Sequence, residues 1–276
     1  MARATQSAHP VETLRENTQS LEASVLVCLA KPSKNAVHAL RTTTRRIEAQ
    51  LELLSMLPNL PPHDKPRRKA LRLLKKLRHA AGQVRDIDVQ RDLIRDEADQ
   101  SGRANGTLRK EARHLRRELK QRRDTEAGHL LDMLQKQRSK LPIVFEKLLD
   151  ALAPAESLTL TEARLTSLVR DWYAQHCGNQ PSASPPQEPA RLHQIRKHAK
   201  LARYLAESAP QSATNAHRLA AHFDNLQQAG GEWHDWLLLA DIAAGELGKS
   251  AQLPDLFTAH ADRSLDLYKR RLRHKM

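Results

Sequence analysis

A short histidine motif occurs twice in this sequence and determines the expected architecture. Residues 37–41 read Val37-His38-Ala39-Leu40-Arg41, and 155 residues later the chain reads Leu192-His193-Gln194-Ile195-Arg196. A second pair of similar segments, 77–92 and 226–241, follows in the same order at an offset of 149 residues. Two ordered matches at nearly equal offsets indicate the duplication of a unit of about four helices.

The composition around these motifs favours an all-α fold. Leu, Ala, Arg, Lys, Glu and Gln are strong helix formers, while the aromatic residues that strands favour amount to three Phe, three Tyr and three Trp. Gly82 predicts the end of a helix, and Asp86 and Asp235 are then predicted to lie in the first turns of the helices that follow. A further helix break is expected near Gly128 or Pro142. Helices are expected at 11–30, 34–57, 67–81, 86–101, 107–152, 161–177, 189–208, 217–229, 232–247 and from 253 to the C-terminus.

The repeat also predicts the domain organisation. We expect one domain over residues 10–276, made of a first half at about 10–155 and a second half at about 156–276. The Pro- and Ser-rich segment 178–189 reads as a linker within the second half.

The charge of the chain predicts its class of partner. The formal net charge is +14, which would attract a polyanion such as nucleic acid or polyphosphate. Cys28 and Cys177 form no CxxC pair, so no metal site, disulfide framework or cofactor is expected. The longest apolar run, 23–30, is too short to span a bilayer, and we expect a cytoplasmic protein that does not bind membranes.

Each copy of the motif predicts a row of cations along a helix. His38, Arg41 and Arg45 share one face at i, i+3 and i+7. The second copy adds His193, Arg196, Lys197, Lys200 and Arg203. Arg offers bidentate hydrogen bonds to phosphate oxygens, Lys adds a point charge, and a histidine ring can donate as well. A solvated helix face is the better explanation of one such row alone, but its repetition favours phosphate binding.

Other charged residues leave two interpretations open. Arg68, Arg72, Lys75 and His79 lie opposite the apolar face of the third helix, with Lys76 beside them, and either line a site or face solvent. The basic stretch 109–123 and the tail 269–275 read as solvated charge runs that widen the electrostatic field.

The motifs resemble the CHAD family, the conserved histidine alpha-helical domain, over residues of about 10 to 270. Residues 37–46 are similar to its His-x-x-Arg-x-x-x-Arg-Arg helix, which includes Arg46, and residues 82–89 are similar to its Gly-x-x-Arg-Asp-x-Asp-Val signature, which includes Arg85. Glu48 stands where the family often has a basic residue, and His234 where an Asn is usual. The resemblance implies two helical bundles related by a pseudo-twofold axis, with the basic helices lining a central groove or pore. It also implies binding of inorganic polyphosphate and association with polyphosphate granules.

The sequence allows three functions to be compared. The leading one is non-catalytic binding of polyphosphate through residues His38, Arg41, Arg45, Arg46, Arg72, Lys75, Lys76, His79, Arg85, His193, Arg196, Lys197, Lys200, Arg203 and His234. Nucleic-acid binding is the alternative, although the basic helices are poor in the aromatic residues on which single-stranded bases stack. A phosphohydrolase would need clustered carboxylates for metal ions. The only candidate group is Asp86, Asp88 and Asp92. In the repeated segment Leu237 stands at the position of Asp88, and the sequence contains no P-loop. We therefore expect that the protein is not an enzyme.

Overall fold

The chain folds into helices over nearly all of the residues that the structure, a computed structural model, describes: 7–101, 106–177, 188–248 and 250–273. Two short strands, β1 (Ser7–Ala8) and β2 (Leu160–Thr161), pair antiparallel with Ser7 opposite Thr161. The all-α class is therefore confirmed. The helices are α1 (Pro10–Ala30), α2 (Lys34–Ser55), α3 (Asp64–Ser101), α4 (Gly106–Gln137), α5 (Lys140–Leu152), a short 3₁₀ turn (Ala153–Ala155), α6 (Glu162–Cys177), α7 (Glu188–Ala206), α8 (Thr214–Leu247) and α9 (Gln252–Arg273).

The start of α2 is fixed by local chemistry. Lys31 leaves the helical conformation after α1, and Pro32 separates the two helices. The Ser33 hydroxyl then accepts a hydrogen bond of 3.2 Å from the backbone N–H of Ala36, which satisfies a donor that the first turn of α2 leaves without a helical partner. The row of cations that begins near His38 therefore starts on a capped helix.

The predicted helix stop at Gly82 is wrong, because α3 runs through it without a break. Asp86 consequently lies in the interior of α3 and is not an acid at a helix N-terminus. A glycine in a helix costs about 1 kcal/mol relative to alanine. The apolar stripe of Leu77, Ala81 and Val84 is fully buried on both sides of the glycine, and this burial offsets the cost.

The predicted break between 229 and 232 is also wrong, since α8 continues through Gly230 and Gly231 and Asp235 lies inside it. The reason for Gly230 is packing. A Cβ at this position would lie 2.7 Å from Cζ of Tyr268, whose ring is fully buried. Glycine is required here to make room for the ring of α9.

The long segment 107–152 divides at residues 138–139, which is close to Pro142, one of the two expected positions, and not at Gly128. Gly128 lies within α4. Pro142 lies in the first turn of α5, where the missing N–H of proline has no helical acceptor to lose. The other predicted helices agree with the structure to within a few residues.

The chain forms two compact units that each combine distant segments. Unit 1 contains residues 1–81 and 131–225, and unit 2 contains residues 82–130 and 226–276. Helices α3, α4 and α8 each contribute to both units. The boundary near residue 155 and the duplication remain predictions. Of the predicted linker, residues 178–187 lie outside the described residues, and Glu188 and Pro189 begin α7.

Unit 1 is organised around α2, which packs against α1 and α7, while α6 packs against α7 and α1 against α5. The apolar face of α2 is buried, including Leu40, Ile47 and Leu51. Gln50 is also buried, and its amide donates to the Pro10 carbonyl (2.7 Å) and accepts from the Ser208 hydroxyl (2.9 Å). This polar bridge ties the start of α1 to the residues that follow α7.

Unit 2 buries its own apolar core and two carboxylates, each of which contacts a nitrogen atom of another side chain. Asp88, 5% exposed, accepts from Arg123 Nε at 2.8 Å, and Glu97, also 5% exposed, lies 2.8 Å from His260 Nε2. His260 stacks on Trp236 with a ring separation of 4.4 Å. Along the described part of the chain, no helix is long and apolar enough to cross a bilayer.

Candidate anion-binding surface

The row of cations on α2 passes from the surface into a half-buried position. His38 and Arg46 are exposed, Arg41 is half-buried, and the side chain of Arg45 is 23% exposed. This gradient follows from the helical spacing, because the row borders the buried stripe of Ala36, Leu40 and Ile47. The inner end of the row is therefore partly removed from water, where charge interactions are stronger than in bulk solvent.

Helix α3 contributes Arg78, an arginine that is not among the predicted site residues. Arg78 Nε donates to Oε1 of Glu48 at 2.9 Å, and the Arg78 carbonyl accepts from Arg41 Nη1 at 3.4 Å. Both contacts join α2 to the part of α3 that belongs to unit 1. The feature of the sequence that could have identified Arg78 is Glu48, because a lone carboxylate at the edge of a basic row is expected to pair with a cation from another helix.

Four side chains from α2 and α3 form a group that we call the Glu48 cluster: Arg41, Arg45, Glu48 and Arg78. Glu48 Oε2 accepts from Arg45 Nη1 at 3.2 Å, and the Glu48 side chain is 13% exposed. Burial lowers the pKa of Arg45 to about 10; Glu48 opposes the shift, and the nearby Arg78 and Arg41 add to it. Arg45 is still a cation at neutral pH. Its Nε–H is buried without a hydrogen-bond acceptor.

The row on α7 begins with a half-buried histidine. Arg196 Nη2 lies 3.4 Å from His193 Nδ1. Burial lowers the pKa of His193, and the charges of Arg196 and Lys197 lower it further. Lys197 is exposed, while Arg196 and Lys200 are half-buried. Every charge that surrounds this histidine within the row is positive.

The far end of the α7 row is already neutralised by the protein. Arg203 Nε donates to Glu207 at 2.7 Å, and its Nη1 donates to Asp224 at 2.6 Å. The guanidinium also lies 5.3 Å from the ring centre of Tyr204. Arg203 was predicted to bind phosphate, but the structure places it between two carboxylates, so it has fewer donors to offer than its position in the row suggests.

The remaining predicted residues lie in two places. Arg72, Lys75, Lys76 and His79 are exposed on the unit 1 part of α3, and Arg72 Nε contacts the Arg68 carbonyl at 3.3 Å. Arg85 and His234 belong to unit 2, and both are half-buried. All of the other predicted site residues belong to unit 1.

The carboxylates considered for metal-assisted chemistry have other partners. Asp88 is held by Arg123 through both oxygens, at 2.8 and 3.4 Å, and Asp92 lies 3.3 Å from Arg95. Among the residues that the structure describes, no group of three or more His, Cys, Asp or Glu side chains has the geometry for a metal ion.

The predicted charge runs are largely exposed. In the stretch 109–123, the arginines and lysines face solvent, with the exception of Arg123. In the tail, Arg270, Arg271 and Arg273 are exposed and Lys269 is half-buried, whereas residues 274–276 lie outside the described part.

Two solved structures and one family model are similar to this chain. PptA from Streptomyces chartreusis is similar in structure, with a TM-score of 0.66 and 16% sequence identity over 96% of this chain and 98% of that chain. The CHAD domain from the plant Ricinus communis is similar with a TM-score of 0.65 and 16% identity over 100% of this chain and 95% of that chain. Comparison with curated protein sequences found no significant match. The family model of the CHAD domain matches residues 12–244, and the chain therefore belongs to the CHAD domain family.

Proposed function

We propose that this protein binds inorganic polyphosphate without cleaving it, through the cationic rows of α2 and α7. The observation that carries the proposal is the direct packing of α2 against α7 within unit 1. Two motifs that are far apart in the sequence thereby belong to the same compact unit. A linear polyanion that contacts both rows would gain several charge-assisted hydrogen bonds at once.

The number and type of the cations support a phosphate chain as the ligand. His38, Arg46 and Lys197 are exposed, while Arg41 and Arg196 are half-buried and retain accessible surface. Arginine binds phosphate oxygens in a bidentate manner. A net charge of +14 adds a long-range attraction that any polyanion would feel. Association with polyphosphate granules would follow from such binding.

Nucleic acid is the competing ligand, because its backbone carries the same phosphate charge. None of the described features favours it over polyphosphate: α2 itself contains no Phe, Tyr or Trp for base stacking, and Tyr204 on α7, which lies near Arg45, is buried. Catalysis is not part of the proposal, and release of orthophosphate in the presence of magnesium or manganese would contradict it.

The rows are tested by reversing one charge in each. The double variant Arg41→Glu/Arg196→Glu is expected to abolish polyphosphate binding in an equilibrium titration, while circular dichroism shows unchanged helical content. The matched control is Arg113→Glu/Arg116→Glu, which makes the same change of charge on the exposed face of α4. The control is expected to lose only the small, salt-sensitive share of the affinity.

Two results would contradict the proposal. One is unchanged affinity in a folded Arg41/Arg196 double variant. The other is an equal loss in both double variants, because total charge would then explain the binding and the rows would have no special role.

A further inference from the structure

The Glu48 cluster contains more positive charge than its one carboxylate can neutralise. Arg45 and Arg78 both donate to Glu48, at 3.2 and 2.9 Å, and Arg41 donates to the Arg78 carbonyl. Arg45 and Arg78 therefore share one carboxylate, which leaves a net charge of +1 on these three side chains in a half-buried place. The buried Nε–H of Arg45 adds a donor without an acceptor.

The geometry of Glu48 resembles that of a bound oxyanion. Its two oxygens are divided between two arginines that come from different helices, α2 and α3. A phosphoryl group has three terminal oxygens and could bridge the same two guanidiniums with one oxygen to spare. The phosphate and the carboxylate would require the same donors, so only one of them can hold both arginines at a time.

We infer that Glu48 is a built-in competitor of the phosphate ligand: its carboxylate occupies a phosphate position between Arg45 and Arg78 and must be displaced before polyphosphate reaches them. This inference rests on the proposed function. The rival role for Glu48 is that of a positioning residue, which holds the two arginines ready for the ligand. The two roles predict opposite signs, because removal of a competitor strengthens binding and removal of a positioning residue weakens it.

Glu48→Gln is the first test, with tripolyphosphate as the probe. We expect the affinity to rise about ten-fold, since the variant frees one to two charge-assisted hydrogen bonds for the ligand. Without ligand, the variant is expected to melt at a lower temperature than the wild type, because two partly buried guanidiniums lose their counter-charge. Tripolyphosphate should then raise the melting temperature of the variant more than that of the wild type.

Two further variants separate competition from a simple change of charge. Glu52→Gln removes the same charge one turn along α2, where the carboxylate contacts Arg67 and Trp172. Its affinity is expected to rise by about two-fold at most, because only the screened field changes. Glu48→Asp keeps the charge but shortens the reach to both arginines, and it should strengthen binding by less than Glu48→Gln. It also serves as the test if the glutamine variant fails to fold.

The outcomes distinguish this inference from the function on which it rests. Failure of the wild type and of all three variants to bind tripolyphosphate would overturn the proposed function. Binding by the wild type, with no gain in Glu48→Gln and Glu48→Asp beyond that of Glu52→Gln, would overturn the inference alone.

Discussion

The two histidine helices carry the same motif but differ in how the protein neutralises their arginines. On α2, Arg45 shares its single carboxylate, Glu48, with Arg78. On α7, Arg203 alone is bound by two carboxylates, Glu207 and Asp224. One carboxylate of α2 therefore serves two guanidiniums, whereas two carboxylates serve one guanidinium at the end of the α7 row.

Alignment of the two histidine motifs makes this difference more informative. Arg203 follows Glu48 by 155 residues, which is the offset between the motifs, so the aligned position holds a carboxylate on α2 and a guanidinium on α7. A motif therefore identifies the face of a helix that can bind an anion, but the neighbouring helices decide which cations are still available. By this comparison, Arg78 should bind phosphate although it lies in neither histidine motif, and Arg203 should not.

The largest difference in polyphosphate affinity is expected between the variants Arg78→Gln and Arg203→Gln. Both changes remove one positive charge from unit 1. Loss of Arg78 is expected to lower the affinity for polyphosphate about ten-fold, because a charge-assisted contact with the ligand is lost. Loss of Arg203 should lower it by about two-fold or less, since the ligand senses only a screened field. Titration of both variants at one salt concentration measures the difference.

Equal losses in the two variants would contradict the comparison. A larger loss in Arg203→Gln would reverse it, because the carboxylates of Glu207 and Asp224 would then be releasing Arg203 to the ligand. Thermal denaturation in the absence of polyphosphate gives the control for folding in each case.

A smaller effect is expected from pH. Burial, with the charges of Arg196 and Lys197, lowers the pKa of His193 in the free protein. A phosphate beside the ring would raise that pKa, so binding takes up a proton and the affinity should increase as the pH falls from about 7 to 5.5. The increase is expected to be about two- to three-fold. Titrations of the wild type and of His193→Gln across this range measure it.

His129→Gln on α4 is the control for this pH dependence, because His129 is exposed and lies outside both rows. Its pH profile should match that of the wild type, whereas His193→Gln should show a weaker dependence. In the absence of ligand the sign is reversed: the folded chain binds fewer protons at His193 than the unfolded chain, so stability should decrease below the ordinary histidine pKa of 6.5. An unchanged profile in His193→Gln would show that His193 does not face the ligand.

The sequence predicted most of the fold because the helical signals are local. Ser33 and Pro32 mark the start of α2, and the spacing of Leu40, Ile47 and Leu51 shows which face is buried. The predicted helix ends at Gly82 and Gly230 were wrong, because tertiary packing outweighs the helix-breaking preference of glycine, which is about 1 kcal/mol. The ring of Tyr268 against Gly230 comes from α9, which no local pattern around the glycine reveals.

The candidate site was predictable only along single helices. The spacing of His38, Arg41 and Arg45 places them on one face, and the structure agrees. The contacts of Glu48 with Arg78 and of Arg203 with Asp224 join helices that are separated in sequence. Such contacts depend on the packing of α2 with α3 and of α7 with α8, so the sequence could not show which cations are already neutralised.

The most direct test of the central claim is the affinity of the purified wild-type protein for long-chain polyphosphate, beside duplex DNA and single-stranded RNA. All three titrations must use the same near-physiological salt, because each affinity decreases steeply as salt rises. If the rows of α2 and α7 form the binding surface, the protein binds polyphosphate tightly and both nucleic acids much more weakly. Equal binding to all three ligands would contradict this claim and would show that net charge, rather than the arrangement of α2 and α7, determines what this protein binds.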